Sequence, residues 1–188
     1  KEELCLQVLV IISKKIFFII FLQFSLFANS VYNINFLDFQ AKVFPKIILL
    51  DNNFEDTLLE NSVVLTILYE EIDYSVVEIL RDKIEKEYKS LKDYNLKVNS
   101  LKYSEFNRNK LSTAYILLLG KDEKILEISK ILSSNNRLTF AYDNSYLDLG
   151  VIFGLSITSK VDILLNIEAL KNSKIELQNS IFSVVKIR

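Results

Sequence analysis

Val63-Val64-Leu65-Thr66-Ile67-Leu68-Tyr69 decides the fold class. The run is β-branched and apolar on both faces, which suits a strand in the middle of a sheet covered on two sides. Beyond it, Ser75-Val76-Val77-Glu78 has the spacing of a capping box, Ser followed three residues later by Glu. Val77, Leu80, Ile84, Tyr88 and Leu91 then recur at intervals of three and four and predict one apolar helical stripe. Arg81, Lys83, Glu85 and Lys86 fall on the opposite, watered face. From Asn95 to Tyr103, Leu96, Val98 and Leu101 alternate with polar neighbours and predict a second strand. Strand, helix and strand in succession make a βαβ unit and require a parallel sheet.

The pattern extends in both directions. Ala114-Tyr115-Ile116-Leu117-Leu118-Leu119 reads as another buried strand, stopped by Gly120. Asp122 is placed to cap a helix whose inner stripe is Ile125, Ile128 and Leu132, and Leu138 to Tyr142 is a further short strand. Val151 to Thr158 and Val161 to Ile167 are joined only through Ser159-Lys160, a connection so tight that the two strands must be antiparallel. Upstream, Val31 to Phe44 predicts a helix against the sheet that ends before Pro45, because a residue preceding proline avoids the α region. Downstream, a final helix or helix pair is expected from Glu168 toward Arg188. The fold class is therefore α/β, a mixed β-sheet of parallel βαβ units plus a C-terminal antiparallel hairpin, flanked by helices.

One domain is expected in 188 residues, with an export segment in front of it. Ile16 to Ala28 is an uncharged apolar run behind Lys14 and Lys15, followed by the small and polar Asn29-Ser30. A positive segment, an apolar stretch and a small-residue exit describe a secretory signal peptide. Residues 1–30 are read as that signal and 31–188 as the working domain; an uncleaved anchor and a buried helix are the alternatives. The sole cysteine, Cys5, precedes the apolar run, so the domain behind the signal has none and forms no disulfide. The single proline and three glycines leave no linker. Mean hydropathy is +0.22, part of it owed to the apolar run.

Composition excludes much chemistry. The 23 basic and 24 acidic residues nearly cancel, which argues against a nucleic-acid partner held by bulk charge. With no histidine, no serine or cysteine relay and no imidazole metal ligand exists. Gly150-Val-Ile-Phe-Gly154 is the nearest approach to a phosphate loop, but it lies in a strand pattern rather than before a helix. Glu70, Glu71 and Asp73 follow a strand end, where a Mg²⁺ site would need a partner acid that Asp122, better explained as a cap, does not supply. Glu55, Asp56 and Glu60 read as a solvated face. No catalytic residue, metal or cofactor is expected, and no enzyme. Tyr142, Tyr146 and Phe153 cluster around the hairpin entry, as core or as an exposed recognition patch.

The stretch from Leu138 to Lys171 resembles the closing segment of the YfiR family of periplasmic regulatory proteins, with similarity strongest over 138–188. The matching positions are Asp143 at the end of a strand, Gly150 before an apolar strand, Asn166 at the end of the hairpin and Ala169 in the following helix. Ser180-Ile-Phe-Ser-Val-Val-Lys-Ile187 matches the family's last helix, and Phe39-Gln-Ala-Lys-Val-Phe-Pro45 its opening helix. Leu149 stands where the family often has glycine and Phe44 where it has tryptophan. These positions define a fold more than a chemistry. What the resemblance implies is an exported, non-catalytic regulator in the periplasm. It would bind and modulate an inner-membrane signalling protein, such as a diguanylate cyclase or sensor kinase, by preferring one of its states. A homodimer is the further association expected, and the interaction surface is unassigned. The alternative is a periplasmic small-ligand-binding protein of a transport system.

Overall fold

The computed structural model describes residues 31–188, so the signal read over 1–30 lies outside the described residues. Residues 34–188 form one compact unit. In chain order its elements are α1 (Ile34–Ile48), β1 (Ser62–Tyr69), α2 (Tyr74–Glu87), β2 (Ser90–Leu91), β3 (Tyr94–Lys102), β4 (Ala114–Leu117), α3 (Asp122–Ser134), β5 (Leu138–Ala141), β6 (Phe153–Ile157), β7 (Val161–Leu165), α4 (Ile167–Asn172) and β8 (Val185–Ile187). Short 3-10 turns link several of them, among which Asn144–Leu149 and Asn179–Ser183 matter below.

The strands make a single sheet in the order β2-β3-β1-β4-β5-β6-β7-β8. β1 is central because all eight of its side chains are apolar or small and all are buried. It pairs in parallel with β3 along its whole length, Ser62 opposite Asn95 through Tyr69 opposite Lys102, and with β4 from Leu65 opposite Ala114 to Leu68 opposite Leu117. β5 and β6 continue the parallel run. β6 and β7 then form the antiparallel hairpin, Phe153 opposite Leu165 through Ile157 opposite Val161. The mixed α/β sheet read from the sequence is thus the fold. Its five parallel strands lie as β3-β1-β4-β5-β6, so the chain reverses its winding between β1 and β4. In open α/β sheets such a reversal opens a crevice beyond the carboxyl ends of the two strands.

Helices cover both faces. α1 and α2 pack together on one, where Phe44 stacks on Phe140 with ring centroids 4.6 Å apart and Phe140 stacks in turn on Phe153. α3 buries Ile125, Ile128 and Leu132 on the other, against Leu68, Tyr115, Leu117 and Ala141. Among the described residues no helix is long and apolar enough to cross a membrane.

Four local expectations need correcting. α1 does not end before Pro45 but runs through it to Ile48. An interior proline costs about 3 kcal/mol or more; burial of Ile47 and Ile48 beyond it returns about 1.5–3 kcal/mol each, so the last turn holds. The capping box at Ser75 does not form. α2 starts two residues earlier, its N-cap Asp73 makes no side-chain capping bond, and Glu78 pairs with Arg81 at 2.5 Å instead. Asp122 is likewise the first helical residue of α3, after the N-cap Lys121, and acts only as an acidic residue in the first turn. Finally, no helix pair closes the chain. α4 is short, Asn179–Ser183 is a 3-10 turn, and Val185–Ile187 adds a strand parallel to β7. β-Branched Val184, Val185 and Ile187 favour that outcome.

Candidate functional site

The crevice at the winding reversal is where α/β sheets commonly bind ligands. Here two tyrosines fill it. The Tyr103 hydroxyl donates to the carbonyl of Leu118 at 2.6 Å. The Tyr146 hydroxyl accepts from the Gly120 amide at 2.9 Å and donates to the Gly120 carbonyl at 3.2 Å. Burial pushes the Tyr146 phenol above its ordinary range, which keeps it neutral. Gly120 is required by this packing, because a Cβ there would sit 2.7 Å from Cε2 of Tyr103. Of the carboxylates after β1, Glu71 pairs with Lys102, while Glu70 is half-buried before the 3-10 turn Glu71–Asp73. Among the described residues no three acidic side chains come together in a way that would hold a metal ion.

The residues matched in the C-terminal stretch gather around the turn Asn144–Leu149, which also carries Tyr146. Asp143 caps the turn Asn144–Leu149, its carboxylate accepting from the amide and the hydroxyl of Ser145, both at 2.8 Å. Gly150 ends that turn with φ +91, in the left-handed region that side chains resist. Ser129 of α3 donates from its hydroxyl to the carbonyl of Leu149, fastening the turn to the helix. Asn166 joins two elements at once. Its Oδ1 accepts from the Ala169 amide at 2.9 Å and so caps α4; its Nδ2 donates to the Leu147 carbonyl at 2.6 Å. Ala169 is buried, and its small side chain lets α4 approach. All four residues therefore hold backbone in place.

What they hold is the wall of a cavity of about 570 Å³ between the turn Asn144–Leu149, α4 and the end of β8. Gly150, Asn166 and Ala169 line it with Asp148, Glu168, Asn172 and Arg188. Arg188 pairs with Asp148 at 3.0 Å and donates to the carbonyl of Asn144 at 2.9 Å, closing one end. A second cavity of about 360 Å³ adjoins it, lined by Ser129, Lys130 and Ser133 of α3 and again by Asp148, Gly150 and Asn172. Together they offer carboxylates, a guanidinium, two amides and hydroxyls around a space the size of a small metabolite. Asp143 stands outside both cavity walls. Asp148, Asn172 and Arg188 carry no signal in the sequence, since only the fold brings residues so distant together. Tyr146 and Phe153 are core; Tyr142 is half-buried, edge-on to Phe36.

No protein-family model matches this sequence, and no curated protein matches it at a significant level. Among solved structures, the chain is similar to a conserved domain protein from Vibrio cholerae, with 11% identity, a TM-score of 0.54, and 80% of this chain and 59% of that one covered. It also matches a structure described as the ABC domain in complex with L-Trp from Streptococcus pneumoniae, at 10% identity and a TM-score of 0.49, covering 73% of this chain and 58% of that one. The chain spans under two thirds of the length of each. At 11% identity, what the chain shares with the Vibrio cholerae protein is the fold.

Proposed function

We propose that this chain is a non-catalytic binding protein whose ligand is a small polar molecule held in the cavity beside Gly150, Asn166 and α4. One observation carries the reading: a space of about 570 Å³, within the range of small-molecule sites, is ringed by convergent polar groups and braced by bonded backbone. The absence of histidine from the sequence and the tyrosines packed into the winding-reversal crevice support binding over catalysis. With residues 1–30 as an export signal, the domain works in the periplasm, as a small-ligand-binding protein of a transport system does. The test is a thermal-shift screen of the full chain against free amino acids, small carboxylates and nucleosides. A ligand of this site raises Tm for the wild type and has no effect on Asn172→Trp, which places an indole in the cavity mouth. Equal shifts in both proteins overturn the assignment.

A second reading rests on the resemblance to the YfiR family over 138–188. In it the domain restrains an inner-membrane signalling protein, a diguanylate cyclase or sensor kinase, and occupancy of the cavity shifts the population of the bound state. Recovery of such a protein with the full chain from solubilised membranes supports it. Unchanged cyclic diguanylate levels on deletion of the gene, with no such protein recovered, count against it.

A further inference from the structure

The amino-terminal edge of the sheet, opposite the winding-reversal crevice, carries a second kind of site. A cavity of about 750 Å³ opens there, and Lys97 of β3, Arg108 and Lys110 of the loop before β4, and Arg137 at the entry to β5 all line it. Four cations thus face one space in a protein whose formal net charge is −1. The lining includes a single carboxylate, Glu60, which touches Lys97 at 3.4 Å with both side chains well exposed. Such a contact neutralises little. Arg108 and Lys110 make no ion pair among the described residues. A neighbouring cavity of about 430 Å³ shares Asn99, Lys110 and Ser112 and adds Arg81, itself already paired with Glu78.

Arg137 is the most informative of the group. It is half-buried, its Nη1 donates to the carbonyl of Thr57 at 3.3 Å, and its Nε is buried without a hydrogen-bond partner. A guanidinium seldom gives up water without a carboxylate or phosphate in return, and its planar fork matches those anions. Burial pulls its pKa down, because desolvation disfavours the charged form. Asn99, Asn109 and Asn135 add neutral donors around the same space. The turn Glu60–Asn61, both residues at positive φ, forms part of the rim through Leu59 and Glu60.

We propose that this edge binds a phosphate-bearing small molecule or headgroup, with Arg137 as the half-buried anchor and Lys97, Arg108 and Lys110 as outer clamps. The site is independent of the cavity beside Asn166, so either can fail without the other. The test is titration of the full chain with inorganic pyrophosphate, followed by thermal shift and calorimetry. Binding is expected to weaken roughly tenfold or more in Arg137→Gln and again in Arg108→Gln/Lys110→Gln, because each removes a charge-assisted bond. Lys171→Gln, on α4, keeps wild-type affinity. Arg137→Gln also tests the fold, so the exposed pair Arg108→Gln/Lys110→Gln is the decisive variant. Vesicles of neutral lipid with and without an added anionic phospholipid form the second arm. Binding to the anionic vesicles that is lost in the exposed pair assigns the phosphate to a lipid, and pyrophosphate binding alone assigns it to a soluble molecule. If neither probe binds, or if the exposed pair binds as the wild type does, the proposal is overturned.

Discussion

Asn166→Ala should detach α4 and the hairpin from the turn Asn144–Leu149. The substitution removes two bonds of different kinds. The cap on the Ala169 amide, 2.9 Å long, is worth about 1 kcal/mol. The 2.6 Å bond to the Leu147 carbonyl is part-buried, and leaving that acceptor unpaired costs about 1–3 kcal/mol. The total, about 2–4 kcal/mol, corresponds to a fall in Tm of roughly 4–16 °C for a domain of this size. Urea unfolding followed by circular dichroism measures it directly. Asn166→Asp keeps the cap but turns a carboxylate oxygen toward the Leu147 carbonyl, so its loss of stability reports that contact, the missing bond and the new repulsion together. An Asn166→Ala loss under about 1 kcal/mol would refute the view that this side chain ties the two elements together. So would an aspartate variant as stable as the wild type.

Gly150→Ala forces a side chain to φ +91 and sets its Cβ 3.2 Å from the Ser129 hydroxyl, so a loss of about 1–3 kcal/mol in chemical unfolding is expected. Gly120→Ala drives a methyl into the Tyr103 ring, which its bond to Leu118 holds in place, and should cost about 1–3 kcal/mol by the same measurement. Two buried aspartates should bend the pH dependence of stability in opposite directions. Lys186, bonded to Asp162 at 2.6 Å, holds that carboxyl below its ordinary 3.8, so its stabilisation is present above 3.8 and is lost as pH falls through the lowered value. Asp162→Asn should therefore be less stable than the wild type at pH 7 and converge with it in acid. Burial raises the pKa of Asp51 despite amide bonds from Asn53 and Glu176, so its favourable contribution is present below 3.8 and is lost as pH rises through the raised value. Asp51→Asn should gain on the wild type as pH climbs from 3.8, with thermal melts across the acid range as the check.

The central sheet was readable because its signals are local. Val63 to Tyr69 and Ala114 to Leu118 are buried on both faces, and no charged residue interrupts them. The tight Ser159-Lys160 connection likewise allowed only a hairpin. Local rules gave way where tertiary burial outweighed them. Pro45 argued for a helix end, yet Ile47 and Ile48 found core beyond it. Ser75 and Glu78 had capping spacing, yet Arg81 gave Glu78 a nearer partner. Ser180 to Ile187 looked like a helix until β7 offered a free edge to Val185–Ile187. For the site, Gly150, Asn166 and Ala169 stood out by resemblance, while Asp148, Asn172 and Arg188 belong to three separate elements and follow no motif. The basic edge was hidden for the same reason. Lys97, Arg108, Lys110 and Arg137 are spread over forty positions of a chain whose charges nearly cancel, so neither net charge nor a charge run reports them.

Occupancy of the cavity beside Asn166 is tested most directly by calorimetric titration of the full chain with the best compound from the thermal-shift screen. One molecule should bind per chain, and Asn172→Trp should abolish the heat while leaving the fold and the pyrophosphate titration unchanged. Undiminished binding to Asn172→Trp, or turnover of the compound during the titration, would contradict a non-catalytic ligand site at this position.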